Sequence, residues 1–427
     1  MTPNPEQRRL ARKVALRTAI ALSIMAGATA VAQFAPPRPP APRPPNAANA
    51  PSAPSAPQPI TNNMQGFGDA LAGLSATLTR AFQDGRAEFT NVETPEGGLG
   101  PIFNGRSCAE CHTAPVVGGG SRTVVTRFGR VENDKFDPLD ALGGSLLQRF
   151  AINPAARETI PHEANVVAQR LSTPLFGLGL IEAIPDSTLI QNAKITKLDG
   201  VRGRAAEVTD ITTGEKRIGR FGWKAQLASI LAFSADAYSN EMGITNRFFP
   251  KENAPNGDEA LLARFKRTVD PEDILDTDGR GDIDLVADYM RLLAPPPRLA
   301  MTPQAIAGEI SFTQLGCASC HTPTMHTGLN VIPALDRKAV NLYSDLLLHD
   351  MGRLNDGIAQ GNATMHEMRT PPLWGLRARD RYLHDGRTNS VDGAIRAHEG
   401  EGTVSRDRYT RMNQQQRQQL LDFLATL

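Results

Sequence analysis

The chain holds four cysteines in 427 residues, and they fall as two similar units. These are Cys108-Ala109-Glu110-Cys111-His112 and Cys317-Ala318-Ser319-Cys320-His321. No cysteine remains for a structural disulfide. Two cysteines three apart lie on one side of a helical turn. Both can therefore add to the two vinyl groups on one edge of a haem while the adjacent His reaches the iron, which is the logic of c-type attachment. Two other chemistries use paired cysteines. A structural zinc site needs further Cys or His at ligand spacing, which the first unit lacks. A thioredoxin-like redox pair gives no reason for His to follow the motif twice. The pattern predicts two covalently bound haem c groups.

Composition agrees. Aromatics make up 5% and hydrophobics 40% of the chain, lean for this length, and two apolar macrocycles supply core that side chains do not. Lys plus Arg is 46 against 45 for Asp plus Glu, so there is no polyanion-binding footprint and no nucleic-acid partner is expected. Residues 1–60 hold seven basic side chains and one acid, Glu6. The remainder is mildly acidic, which suits a partner with a positive docking face.

The basic excess belongs to an export signal over 1–32. Arg8, Arg9, Arg12, Lys13 and Arg17 precede an apolar stretch from Thr18 to Val31, and Ala30-Val31-Ala32 offers a cleavage site. The stretch is short for a membrane span, so a membrane partner is expected only if the segment stays uncleaved. Residues 33–60, with eleven prolines from Pro36 to Pro59, read as an extended linker. A periplasmic protein follows from these features.

The folded part reads as mostly helix. Phe67, Leu71, Leu74, Leu78 and Phe82 recur at helical steps from Met64 and Gly85 closes the run. Residues 223–240 form another helix ending at Glu241-Met242-Gly243, Ile283 to Leu293 a third, and Met412, Gln416, Leu420, Phe423, Leu424 and Leu427 the face of a last one. A hairpin is predicted within Arg204–Phe221, its tip at Thr213-Gly214. Pro295-Pro296-Pro297 marks a boundary, giving a haem domain over 61–297 and another over 298–427. Asp276 to Asp282 is rich in acids, but counting from Asp276 puts Arg280 at position 5 and Ala287 at position 12, where a calcium loop needs oxygen ligands. A polar turn capping the next helix is the better account.

Taken together, several stretches resemble the dihaem cytochrome c peroxidase and MauG superfamily, and most of all its di-haem oxidoreductase branch of peroxidases. They are Gly98-Leu99-Gly100-Pro101-Ile102-Phe103-Asn104, Leu175-Phe176-Gly177-Leu178-Gly179-Leu180, Gly219-Arg220-Phe221-Gly222-Trp223-Lys224-Ala225 and Glu241-Met242-Gly243. The C-terminal half adds Tyr343-Ser344-Asp345-Leu346-Leu347-Leu348-His349-Asp350-Met351-Gly352, Arg369-Thr370-Pro371-Pro372-Leu373-Trp374-Gly375 and Leu383-His384-Asp385-Gly386-Arg387. The resemblance covers roughly 64–427.

It implies an all-α pair of cytochrome c-like haem domains with a small β-hairpin excursion in the N-terminal one. The N-terminal haem, on Cys108, Cys111 and His112, does the chemistry. The C-terminal haem, on Cys317, Cys320 and His321, stores or passes an electron. In the superfamily the residue fourteen places after the His of His-Asp-Gly is the distal ligand of the C-terminal haem, Met in peroxidases and Tyr in MauG. Counted from His384 it is His398, which predicts bis-His ligation and a lower potential than His/Met. The distal acid lies in a Glu-Met-Gly segment after a Trp between the haems, and Glu241 and Trp223 match at a spacing of eighteen. Glu182 is the rival acid. Gly177 stands where an Asn for an interdomain calcium is expected, which argues against carrying calcium over.

No His or Met appears in the forty-nine residues after His112, and the first His is His162. An open distal face is the simplest inference, with His162 as a regulatory ligand the other. The function implied is reduction of hydrogen peroxide with electrons from a small cytochrome c or cupredoxin. Oxidation of a partner protein or thiol, as in MauG, and a non-catalytic dihaem carrier are the alternatives.

Overall fold

Glycine decides where the long helices meet. Among the residues described by the computed structural model, 66–265, 275 and 279–427, five helices exceed ten residues. They are α1 (Ala76–Phe89), α2 (Ile230–Met242), α3 (Asp282–Leu292), α4 (Pro303–Gln314) and α5 (Gln414–Leu424). The signal-like segment, the Pro-rich linker and Asp276 to Asp278 lie outside the described residues. Asn63–Leu427 forms one compact unit.

Helix α1 starts later than the apolar repeat suggests. Gly66, Gly68 and Gly73 take positive φ, and Ser75 caps the helix by accepting from the Leu78 amide. Phe67 and Leu71 are buried, but from turns rather than from a helix face. Gly85 does not end the helix. It sits inside it, where a Cβ would lie 2.1 Å from the Leu285 carbonyl of α3. The missing side chain lets α1 and α3 touch backbone to backbone, and Phe82 and Phe89 close on Tyr289 at 5.2 and 4.9 Å.

The C-terminal pair repeats this device. A Cβ on Gly308 of α4 would lie 1.9 Å from the Gln419 carbonyl of α5, and Phe312, one turn on, meets Phe423 at 5.3 Å. In both pairs Gly and Phe are four apart, on one face of the helix. Burying such aromatic side chains stabilises each pair by roughly 1.5–3 kcal/mol per ring. The α5 face is the expected one, with Leu420, Phe423 and Leu424 buried and Asn413 closing a capping box with Gln416.

Helix α2 begins seven residues after the predicted start. Gly222 and Ala225 adopt positive φ and fold 223–228 into a turn that pairs Phe221 with Leu227. Ser229 then caps α2 through the Ala232 amide and Gly243 ends it in the left-handed conformation. Helix α3 lies where expected.

An all-α fold is not what forms. The protein is mostly helical, but Val124–Glu132 is a nine-residue strand paired along Val166–Leu171, with Lys135–Asp137 and Leu146–Leu147 beside it. Smaller antiparallel pairs occur elsewhere, among them the predicted hairpin, Glu207–Thr209 with Lys216–Ile218, with Gly214 at φ 75°. The long strand escapes a period-two search because Arg127 and Arg130 interrupt its apolar residues, and Arg127 faces a cavity rather than solvent. Among the described residues no helix is long and apolar enough to cross a membrane.

Candidate functional site

The first Cys-x-x-Cys-His unit folds as one helical turn. Ser107 caps it through the Ala109 amide, and the His112 amide donates to the Cys108 carbonyl at 3.0 Å. The imidazole is held by its Nδ1, 3.0 Å from the Gly119 carbonyl, with Phe89 of α1 packed at 6.2 Å. A ring that donates from Nδ1 presents Nε2 as its free lone pair, the arrangement found in histidines that bind metals. Burial lowers the His112 pKa to about 4, so the ring is neutral, the form that binds iron.

His321 repeats the arrangement. Its Nδ1 lies 3.0 Å from the Tyr343 carbonyl, Phe312 of α4 packs at 6.3 Å, and burial lowers its pKa to about 4. The quoted stretch from Tyr343 builds this seat. Tyr343 supplies the carbonyl, and the Ser344 and Asp345 amides donate to the carbonyls of Thr322 and Cys320. The cysteines fit thioether attachment better than a redox dithiol, which needs a depressed pKa. Burial raises Cys108 and Cys317 to about 12 and Cys111 to about 11.

What faces each imidazole differs. His398 stands opposite His321, ring centres 6.4 Å apart. Its Nδ1 is 2.8 Å from the Ala394 carbonyl, so a third ring is turned the same way. Imidazole nitrogens bind first-row metal ions at ~2.0–2.1 Å, which sets two opposed ring centres roughly 6.4 Å apart. The two rings are thus spaced for one metal ion between them.

His112 instead opens on a cleft of about 1110 Å³, counting its mouth. Cys108, Cys111, Trp223 and Glu241 line it, as do Arg127, Arg170 and Ser234. Glu241 is at the last turn of α2, held by the Gly-rich stretch before the haem motif. The Asn104 and Gly105 amides donate to its carbonyl at 2.7 and 3.1 Å, and the Gly100 amide to Met242 at 3.0 Å. A Cβ on Gly100 would lie 2.2 Å from the Gly243 carbonyl, which is why glycine stands there. The Glu241 carboxylate accepts from Asn104 Nδ2 at 3.0 Å. Burial raises its pKa, against the pull of Arg127 and Asn104.

Trp223 donates from Nε1 to the Leu171 carbonyl at 2.7 Å and lies edge-on to His384, centres 6.1 Å apart. It also lines a smaller cavity with Trp374, Arg369 and Pro372. The rival candidates sit elsewhere. Glu182 is engaged by Arg291 Nε at 2.7 Å and the Ile230 amide at 2.7 Å. His162 has a side chain 93% exposed, 3.1 Å from Glu163. Gly177, at φ 70°, packs under Trp374.

The sequence reading missed the basic wall of the cleft. Arg170 is fixed by Asp356 Oδ2 and Gln360 Oε1, both at 2.6 Å, and Lys224 joins Asp356 at 2.9 Å. The Arg-bearing, β-branched runs Val124–Glu132 and Val166–Leu171 were the available signal.

Several solved structures are similar to this chain. Hydrazine synthase of Kuenenia stuttgartiensis matches with 15% identity over 90% of this chain and 99% of that one, TM-score 0.38. The diheme peroxidase BthA of Burkholderia thailandensis matches with 15% identity over 83% and 86%, TM-score 0.35. A MauG-like protein associated with microbial copper homeostasis matches with 16% identity over 59% and 89%, TM-score 0.30. No curated protein matches the chain. A family model does, over 157–427, a span that includes Trp223, Glu241, the second Cys-x-x-Cys-His unit and His398 and begins after the first unit. By that match the chain belongs to the family "Di-haem oxidoreductase, putative peroxidase", whose name implies two haems.

Proposed function

We propose that this protein is a periplasmic dihaem c-type oxidoreductase of two cytochrome c-like units that reduces hydrogen peroxide at the iron held by His112. The observation that supports this best is the difference between the two histidine seats. His321 faces His398 at the spacing of two ligands to one ion, whereas His112 faces a cleft lined by Glu241 and Trp223. Haem, when bound, supplies the iron at which an oxidant is held and the electrons that reduce it.

The protein residues handle protons and access. Glu241, its pKa raised by burial, is suited to take a proton from one peroxide oxygen and return it to the other as that oxygen leaves as water. Asn104 Nδ2 fixes the carboxylate by one oxygen and leaves the other free for this transfer. Trp223, which lines both the cleft and the smaller cavity with Trp374, is the residue we assign to carrying electrons toward the His112 iron. His321 and His398 would hold the C-terminal haem, and two imidazoles would give it a low potential, suited to storing a reducing equivalent from a small cytochrome c or cupredoxin.

An electron paramagnetic resonance spectrum of the purified ferric protein tests the reading. One high-spin and one low-spin centre are expected. Two low-spin centres in both oxidised and half-reduced protein would make it an electron carrier.

A further inference from the structure

A second, larger cavity lies beside the His112 cleft. It holds about 1710 Å³, its mouth included, and its wall is polar, with Asp140, Glu158, Gln148, Asn240, Lys251 and Glu259 among the lining. Of its lining residues only Arg127 also lines the cleft. The two spaces adjoin at further points. Gln148 Nε2 donates to the carbonyl of Asn240, the neighbour of Glu241, at 3.0 Å. Gln360 lines the outer cavity while holding Arg170 of the inner one.

The two arginines of this partition are held very differently. Arg170 is clamped by three short contacts, to Asp356 and Gln360. The Arg127 guanidinium makes one long hydrogen bond among the described residues, Nη1 to Ser145 Oγ at 3.4 Å, and its buried Nε has no partner. A buried guanidinium with unfilled donors is costly. Its long stem lets it turn toward either space, since among the described residues Ser145 alone hydrogen-bonds the guanidinium.

Resting on the open-iron reading above, we infer that the outer cavity is the route by which the oxidant reaches the His112 site and that Arg127 is its gate. The substrate class this fits is a small hydrogen-bonding molecule of the size of hydrogen peroxide. Bulky hydroperoxides and protein side chains are kept from the iron, so any large reductant gives its electrons at a distance. Arg127 and Glu241 line the same cleft, and the charge of the carboxylate partly offsets the burial that lowers the guanidinium's pKa.

The test follows ligand binding to the ferric His112 centre of the full-length holoprotein by stopped-flow absorbance, with hydrogen cyanide as small probe and imidazole as bulky probe. Arg127→Ala is expected to raise the imidazole rate at least tenfold and the cyanide rate much less. Arg127→Lys, which keeps charge but shortens the plug, gives a smaller rise. Ala141→Trp, at an exposed position of the outer cavity, is expected to slow both probes at least tenfold. An unchanged ratio of the two rates in Arg127→Ala and Arg127→Lys, or unchanged rates in Ala141→Trp, overturns the route while leaving the open iron intact. No binding of either probe to any of the proteins overturns both readings.

Discussion

The two Cys-x-x-Cys-His units have the same near surroundings and opposite far ones. Each places a His with Nδ1 at 3.0 Å from a backbone carbonyl. Each packs it on a Phe one helical turn beyond a glycine that admits a second helix. Across from these seats one finds His398 and the other a cleft that holds Glu241. The orientation of each His is therefore a local property, set by five consecutive residues and one helix pair. What faces each His depends on a part of the chain far from the motif. For His321 it is a short helix, Val391–Arg396, whose Ala394 carbonyl orients His398. For His112 it is the C-terminal end of α2, which brings a carboxylate instead.

The sharpest way to break this comparison is to remove the far residue. His398→Ala should convert the low-spin ferric signal of the C-terminal centre to high spin and make the two centres alike. His162→Ala should change neither signal. Persistence of the low-spin signal in His398→Ala would mean that another side chain closes that iron. On the other side, Glu241→Gln keeps shape and the Asn104 contact but not the proton. Peroxide turnover is expected to drop by about 10²–10⁴-fold, with both ferric spectra unchanged. Glu182→Gln should lower the melting temperature, because it weakens the pairing with Arg291, and leave turnover near that of the parent.

How much of this was written in the chain differs by level. The two Cys-x-x-Cys-His units were plain because c-type chemistry demands a fixed local spacing, and the family's name, with its two haems, is consistent with them. Helices α3 and α5 were legible from apolar periodicity, since α5 buries one stripe against α4 and α3 buries its apolar residues against α1 and α2. The start of α2 was not, because residues 223–228 have helical composition and are bent by tertiary demands, the Trp223 bond to Leu171 among them. Gly85 read as a stop because in isolation glycine is a poor helix former. Its role appears only once α3 lies on top of it. Arg127 and Arg170 stand in short β-branched runs with no motif around them, and only the fold reveals that both face the cleft.

The glycine pairs offer a way to perturb one centre at a time. Gly85→Ala forces a Cβ into the space held by the Leu285 carbonyl, and Gly308→Ala into that of the Gln419 carbonyl. Each should cost about 1–3 kcal/mol by overpacking, read as a lower urea midpoint. Because α1 seats His112 through Phe89 and α4 seats His321 through Phe312, Gly85→Ala should broaden the high-spin signal and Gly308→Ala the low-spin one. Equal disturbance of both signals by either change would show that the two seats are not independent.

The smallest expected effect concerns acid stability, and it too separates the regions. Asp356 supports the wall of the cleft, and Asp345 lies under the C-terminal seat beside His349. Burial alone raises both carboxyls, but Arg170 and Lys224 outweigh it at Asp356, and His349 and Lys197 at Asp345, so each settles at about 2. A carboxyl depressed by folding binds its proton more readily in the unfolded chain, whose Asp value is ~3.9. Its stabilisation is therefore complete above ~4 and is lost as the pH falls through about 2. Asp356→Asn and Asp345→Asn should each flatten the dependence of the urea midpoint on pH between ~4 and ~2. Only Asp356→Asn should also loosen Arg170 and so raise the access of imidazole to the His112 iron. If Asp345→Asn has that effect as well, the two buried charge clusters act as one support, and the independence argued from the glycine pairs fails with it.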